Sequence, residues 1–295
     1  MTDAIRAPDE LLSGLPDFPF ESSYRQFDGF RLAHLDVGEG PPVVFLHGEP
    51  TWSFLWRHVI PPVRDAGFRC IAPDLAGFGR SDKPIDIDWY TYDVHTASVT
   101  ALVAELDLRD ATVVVHDWGG PIGLRVAVDN PDRIARVVVL DTGLFTGHQK
   151  MTDAWGAFRA FVERTEDLPV GLLVRRACLN DPGDEVIAAY DAPFPNAASK
   201  AGARAFPLIL PLTPDSPGAE AGQRVLEALR VDSRPKLFLW ADSDPVLPLE
   251  TGRRFAEALG GAEIDHVIAG ASHFLQEDAG PEIGSLIASW LASNP

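Results

Sequence analysis

The chain is poor in cysteine, short of positive charge and without long apolar runs, and each shortage removes a class of protein. Its only cysteines, Cys70 and Cys178, lie far apart and match neither metal-ligand spacing nor a disulfide framework, which fits two buried thiols in a reducing compartment. Lysine and arginine number 25 against 43 aspartates and glutamates, a formal net charge of −18. Phosphate backbones and anionic membranes would be repelled, so neither nucleic acid nor membrane is an expected partner, whereas a small uncharged molecule would not sense the field. No run reaches the roughly 18 apolar residues of a membrane span. The opening stretch, Met1 to Leu15, carries Asp9-Glu10 and no apolar h-region. A cytoplasmic protein, more readily a monomer than an oligomer, is expected. Internal repeats and low-complexity tracts are also missing, as is any G-x-S-x-G motif.

What is present is an ordinary globular composition, 295 residues with 46% hydrophobic and 23% charged. Short apolar runs alternate with helical patterns, which argues for an α/β fold, a mostly parallel sheet covered on both faces. Strands are expected at Phe30 to Asp36, Val43 to Leu46, Arg69 to Ala72, Thr112 to His116, Arg136 to Leu140, Lys236 to Trp240 and Glu263 to Ile268. Helices are expected at Ser53 to Ala66, Tyr92 to Leu106, Gly119 to Val128, Glu250 to Leu259 and Pro281 to Leu291. The rhythm breaks once, from about Phe145 to Leu212, where Ala154 to Arg164 and Val170 to Leu179 read as helices among prolines. That organisation predicts core segments 1–144 and 213–295 with a helical cap at 145–212 over the carboxyl ends of the sheet, where open α/β sheets bind ligands.

The chemistry concentrates at Val113-Val114-Val115-His116-Asp117-Trp118-Gly119-Gly120, a buried strand entering a glycine-assisted turn and a helix. A hydrolase of this architecture usually carries serine at the turn. Asp117 stands there instead. A carboxylate, ionised at neutral pH from a reference pKa of roughly 3.9, suits displacement at saturated carbon and would form an ester that water must then cleave. Gly119 meets the turn's need for small neighbours, but Val115 does not match the small residue expected two positions earlier. The alternative for Asp117 is a helix cap. His273, in Gly270-Ala271-Ser272-His273-Phe274, is the candidate base. Asp244, ahead of Pro245, is the candidate orienting acid, with Asp242 as its rival. The remaining histidines read as structural, with His116 supporting the site. Backbone N–H groups of Glu49 and Trp118 are the candidate oxyanion donors. The Glu49 side chain either positions water or braces its loop. A departing anion needs donors in an apolar pocket, and an indole N–H donates without accepting. Trp118 adjoins the nucleophile, and Trp155 is the one tryptophan in the cap. Phe158, Phe161, Phe194, Leu247, Phe274 and Leu275 are candidate pocket residues, ordinary core packing being the alternative for each.

With these residues in view, the chain resembles the haloalkane dehalogenases of the α/β-hydrolase superfamily over nearly its whole length. The resemblance rests on His47-Gly48-Glu49-Pro50-Thr51-Trp52-Ser53-Phe54-Leu55-Trp56-Arg57, on Ala72-Pro73-Asp74-Leu75-Ala76-Gly77-Phe78-Gly79-Arg80-Ser81-Asp82-Lys83-Pro84 and on His116 to Gly120. It implies an α/β-hydrolase fold with an inserted cap, a small uncharged halogenated substrate, a halide product and no metal or organic cofactor. Glu49, where another branch has asparagine, together with an acid after the penultimate core strand, looks like the subfamily with one elbow and one cap tryptophan as halide donors. Asp117 then maps to the nucleophile, Asp244 to the acid, His273 to the base, and Trp118 with Trp155 to the halide site. Epoxide hydrolases are the nearest rival, but they need cap tyrosines and this cap offers only Tyr190. Fluoroacetate dehalogenases resemble this elbow with arginine where Trp118 stands, and a serine esterase lacks its serine here. A silent binding protein on the same scaffold would be expected to lose a triad member, and none is lost.

Overall fold

Eight strands of the described residues form one sheet, and their order places the candidate site. They are β1 (Ser22–Phe27), β2 (Phe30–Val37), β3 (Pro42–Leu46), β4 (Arg69–Pro73), β5 (Ala111–His116), β6 (Ile134–Leu140), β7 (Lys236–Ala241) and β8 (His266–Ile268). Across the sheet the order is β8-β7-β6-β5-β3-β4-β2-β1. β2 pairs antiparallel with β1 and β4, and every other pairing is parallel. The computed structural model describes residues 3–260 and 262–295; Met1, Thr2 and Gly261, which the sequence reading includes in the core segments, lie outside the described residues.

The central strands are apolar on both faces because helices cover both. Val43, Val44, Phe45, Leu46, Val113, Val114, Val115, Val137, Val138 and Val139 are fully buried, each worth about 1.5–3 kcal/mol relative to exposure. The covering helices of the core are α1 (Ile60–Asp65), α2 (Tyr92–Glu105), α3 (Gly119–Asp129), α8 (Ala219–Arg230), α9 (Leu249–Ala258) and α10 (Leu275–Ser293). Between β6 and α8 lie α4 (Asp153–Arg164), α5 (Val170–Ala177), α6 (Asp184–Asp191) and α7 (Ala201–Ile209), with no strand among them. Thr152 caps α4 by accepting the Trp155 N–H.

The chain leaves β3 toward one side of the sheet and reaches β5 on the other, so the loops after these two strands diverge at their carboxyl ends, the switch point where open α/β sheets bind ligands. Asp117 and the His47–Thr51 loop meet there. The helical insertion is stapled over the same edge. Asp278 of α10 accepts the N–H groups of Leu179 and Asn180 at 2.9 and 2.8 Å, and the Ala177 carbonyl accepts that of Phe274 at 3.3 Å. Tyr190 of α6 donates to Glu277, itself in a buried ion pair with Arg57 at 2.6 Å.

Several elements differ from expectation. Ser53 to Ala66 is not one helix but a 3-10 turn (Ser53–Trp56) and the short α1, whose start at Ile60-Pro61-Pro62 suits prolines that lack an N–H. Strand Glu263 to Ile268 shortens to His266–Ile268. α10 begins six residues earlier than Pro281, with a kink at Ala279 that accommodates that proline. The Gly77–Pro84 motif is a structural clasp. Asp74 accepts the N–H groups of Ser53 and Arg80, both at 2.8 Å, Arg6 pairs with Asp82, and the Lys83 ammonium donates to the Gly79 and Ser81 carbonyls at 2.7 and 2.9 Å.

Candidate active site

Asp117 occupies the turn between β5 and α3 with a left-handed φ of 49°, a conformation that costs a residue with a Cβ about 1–3 kcal/mol. The surroundings hold it there. Its N–H donates to the Asp141 carbonyl at 3.2 Å, and its own carbonyl accepts from Thr142 Oγ1 at 2.5 Å and from the Gly120 N–H at 2.9 Å. A side chain on Gly119 would meet the Leu46 carbonyl oxygen at 2.1 Å, so β3 and α3 approach this closely only because the residue is glycine. The bulk of Val115 is absorbed elsewhere: a Cβ on Gly123 would lie 2.5 Å from Val115 Cγ1, so Gly123 supplies the space usually left two residues before the nucleophile.

The Asp117 carboxyl has two differently held oxygens. Oδ1 accepts the Glu49 N–H at 2.6 Å. Oδ2 faces His273 Nε2 at 3.6 Å. Burial would raise the Asp117 pKa, but the contact with His273, the charge of His273 and His116, and the Trp118 N–H outweigh it and hold the carboxyl below the ordinary range. The start of α3 directly after Trp118 adds its positive dipole end. On its far side His273 presents Nδ1 to Asp244 Oδ2 at 2.8 Å, while Asp244 Oδ1 accepts the Val246 and Leu247 N–H groups at 2.7 and 3.0 Å. Burial opposes ionisation of Asp244, but the charge and hydrogen bond of His273 and those two N–H groups bring its pKa down to about 2. Asp242 is exposed and accepts from Gly270 and Ser243 instead, so of the rival acids only Asp244 reaches the imidazole.

His273 is buried, which alone would lower its pKa; Asp244 and Asp117 on either side overcome this and raise it well above the ordinary imidazole value. The two flanking carboxyls therefore favour the imidazolium form of His273. His116 is pushed down to about 4 by burial and by the charge of His273, and its Nε2 donates to the His273 carbonyl at 2.8 Å. Glu49 is buried beside Asp117, and burial with that neighbouring charge pushes its pKa well above the carboxylate range, favouring the neutral form. Neither of its carboxyl oxygens has a hydrogen-bond partner among the described residues.

The Trp118 ring is sandwiched by aromatics, stacked on Phe206 of α7 at 4.8 Å and tilted against Phe145 at 5.5 Å. Trp155 sits half-buried on α4 with the Arg159 guanidinium 5.8 Å from its ring, and no ring contact joins it to Trp118 among the described residues. Phe158 and Phe161 lie on the same helix, half-buried against the core. Phe274 packs edge-on against His273 at 5.0 Å and Leu275 is fully buried behind it. Leu247 serves through its backbone, donating to Asp244 and accepting from Trp240 Nε1 at 2.8 Å. Phe194 meets Phe78, which stacks on Phe206, so among the described residues its ring contacts lead to Trp118 through two other rings. Beside Trp118 a void of about 10 Å³ adjoins a solvent-open cavity of about 500 Å³, and Tyr92, Pro211 and Gly218 line both.

Sequence reasoning missed Asp141, Thr142, Phe145 and Phe206. The first two stand immediately after a buried strand, the position that singled out Asp244, and could have been found by the same rule. Phe206 carries no such signal, because only the packing of α7 over the sheet brings it to the elbow.

Comparison with known proteins came to the same region. Residues 41–280 match the model of a family described as alpha/beta hydrolase fold. A haloalkane dehalogenase of Mycolicibacterium paratuberculosis is 42% identical, covering 97% of each chain, and one of Psychrobacter cryohalolentis is 38% identical, covering 99% of each. Among solved structures, the tetrameric haloalkane dehalogenase DpaA of Paraglaciecola agarilytica superposes with a TM-score of 0.90 at 35% identity, covering 96% of this chain and 97% of that one.

Proposed function

The chain belongs to the haloalkane dehalogenases of the α/β-hydrolase fold, a hydrolase of carbon–halogen bonds, and on that premise we propose that Asp117 is its nucleophile, His273 its base and Asp244 the acid that orients the base. One observation carries the assignment: a single buried carboxyl is gripped at Oδ1 by the Glu49 N–H at 2.6 Å while Oδ2 faces a histidine tied to a second acid.

In this reading Oδ2 attacks the halogen-bearing carbon, the carbon–halogen bond breaks with its electron pair, and the halide leaves toward the indole N–H groups of Trp118 and Trp155. The segment 145–212 acts as a cap that excludes water, leaving the carboxylate poorly hydrated and the approach of the reactants fixed. Once Asp117 is an ester it no longer carries charge, so one of the two carboxylates that stabilise the His273 imidazolium is gone. His273 then loses its proton to solvent and becomes a base in the state that needs one. It removes a proton from water as the water oxygen attacks Cγ, and the negative charge developing on Oδ1 falls on the N–H groups of Glu49 and Trp118. Cleavage of the Cγ–Oδ2 bond releases the alcohol, which takes up the second water proton, and restores the carboxylate beside imidazolium. The unbonded carboxyl of Glu49 favours binding the hydrolytic water over bracing its own loop.

Of the pocket candidates, Phe274 has the strongest support because it packs on His273; Phe158, Phe161, Phe194, Leu247 and Leu275 are proposed as the other residues that shape the substrate's surroundings. The epoxide hydrolase alternative is not favoured by the relatives, and the Tyr190 hydroxyl it would need is committed to Glu277. A monomer is proposed on the mutual repulsion of copies carrying a net charge of −18, although DpaA is a tetramer; light scattering on a sizing column decides. No helix of the described residues is long and apolar enough to cross a membrane, and a cytoplasmic location is proposed with the two buried free thiols in its support. The defining assay measures bromide and acid release from dibromoethane and bromobutane beside diol formation from an epoxide, with Asp117→Ala as control. Diol formation without bromide release would reverse the assignment.

A further inference from the structure

Asp141 follows β6 directly and is fully buried, yet its side chain has no part in the scheme above. Its Oδ1 accepts the Ala241 N–H at 3.0 Å, while Oδ2, equally enclosed, receives no donor from the described residues. Asp141, Asp244 and His273 each bring one polar atom within 4.8 Å of the other two. A metal ion at this cluster would compete for the His273 nitrogen that Asp244 already holds at 2.8 Å.

Two buried carboxyls whose oxygens approach within 4.8 Å disfavour double ionisation at neutral pH, so the pair favours holding one proton. The hydrogen bonds say which acid keeps it. Asp244 accepts three N–H groups, from His273, Val246 and Leu247, whereas Asp141 accepts only that of Ala241. Three donors against one leave the charge on Asp244 and the proton on Asp141. Burial first, and then the charge of Asp244, push the Asp141 carboxyl well above the carboxylate range, in the same sense. The other titratable groups facing this corner are His273 ahead of α10 and, at the end of β5, His116 with Asp117.

We propose that Asp141 is a positioning residue that, as a neutral carboxylic acid, donates its O–H to Asp244, fixing that carboxylate against His273 Nδ1 and tempering its charge. The same residue accepts the Asp117 N–H through its carbonyl at 3.2 Å, so one position at the end of β6 braces both the nucleophile and the acid. The role rests on the Asp117, His273 and Asp244 reading above and refines it.

Two variants and one spectrum test it. Asp141→Ala removes the donor; Asp244 then pulls harder on the imidazolium, so ester hydrolysis in single turnover slows roughly tenfold with alkylation unchanged. The acid limb of its pH profile also moves up by about one pKa unit. Asp141→Asn keeps an N–H donor without acidity and restores the hydrolysis rate to within about threefold, with the limb close to its wild-type position. A limb displaced downward by about a unit or more in Asp141→Asn would mean that Asp141 is charged in the native protein, and wild-type hydrolysis in Asp141→Ala would mean that it positions nothing. Either result overturns the proposal. The wild-type minus Asp141→Asn infrared difference spectrum reads the proton without turnover and serves even if the alanine variant fails to fold. It shows the C=O stretch of a protonated carboxylic acid, and its absence refutes the assignment. A band present in a protein whose Asp117 is never alkylated would instead overturn the scheme on which the role depends.

Discussion

Gly48→Ala adds one methyl group at the place where the proposed chemistry tolerates least. A Cβ at residue 48 would lie 2.1 Å from Asp117 Oδ1, 2.6 Å from Asp117 Cβ and 2.6 Å from the Trp118 nitrogen. Relief requires either the carboxyl to swing by about an ångström or the loop carrying Glu49 to lift by a similar amount, because interiors this densely packed leave no slack. Both movements break the 2.6 Å bond from the Glu49 N–H. Removing one oxyanion donor costs about 10²–10³ in rate, roughly 3–4 kcal/mol at the transition state, while overpacking costs stability only about 1–3 kcal/mol. The expected outcome is a folded variant with kcat/KM lowered at least a hundredfold, read as bromide release from dibromoethane beside a thermal melt. A folded Gly48→Ala enzyme within about fivefold of wild type would refute the placement of the oxyanion site.

Other expectations follow from the same geometry. Trp118→Phe keeps the stack on Phe206 but removes an N–H that would meet a full negative charge, a loss of about 1.5–3 kcal/mol; alkylation should slow by one to two orders of magnitude in rapid-quench experiments with ester hydrolysis untouched. Trp155→Phe should slow the same step if Trp155 is the second donor, and an unchanged alkylation rate removes it from the halide site. Because His273 is raised by both Asp244 and Asp117, loss of the Asp117 charge should expel one proton per site at the rate of alkylation, visible as an indicator burst in weak buffer; acid appearing only in the steady state would contradict this. Asp244, brought from 3.8 to about 2, contributes about 2 kcal/mol. A depressed carboxylate stabilises the fold above its unfolded pKa, and the contribution disappears as pH falls through about 2. Denaturant titrations should therefore show wild type losing its advantage over Asp244→Asn across that acid range.

The sheet was readable where its strands are covered on both faces, because burial on both sides turns Val43 to Leu46 and Val113 to Val115 into continuous apolar runs. Ser22–Phe27 escaped since an antiparallel edge strand with one buried side chain, Arg25 being among its residues, has neither a run nor an alternation to detect. Asp117 and His273 were legible as residues out of place in a strand–turn–helix grammar. The place ahead of Pro245 favours Asp244 over Asp242, and depth agrees: two residues apart, one is buried and the other exposed. Protonation was the least legible property. Nothing in the local sequence tells that the Asp244 pKa is pulled down while those of Asp141 and His273 are pushed up, because these shifts come from neighbours that only folding brings together. The aromatic wall of Phe145 and Phe206 around Trp118 belongs to the same class.

The central claim is a covalent one, that Asp117 becomes an alkyl ester whose removal needs His273. His273→Gln, incubated with excess bromobutane and analysed by intact mass and peptide mapping, should gain one butyl group on the peptide containing Asp117 and stop there. A variant that turns over normally, stays at its original mass, or carries the alkyl group elsewhere would contradict the account.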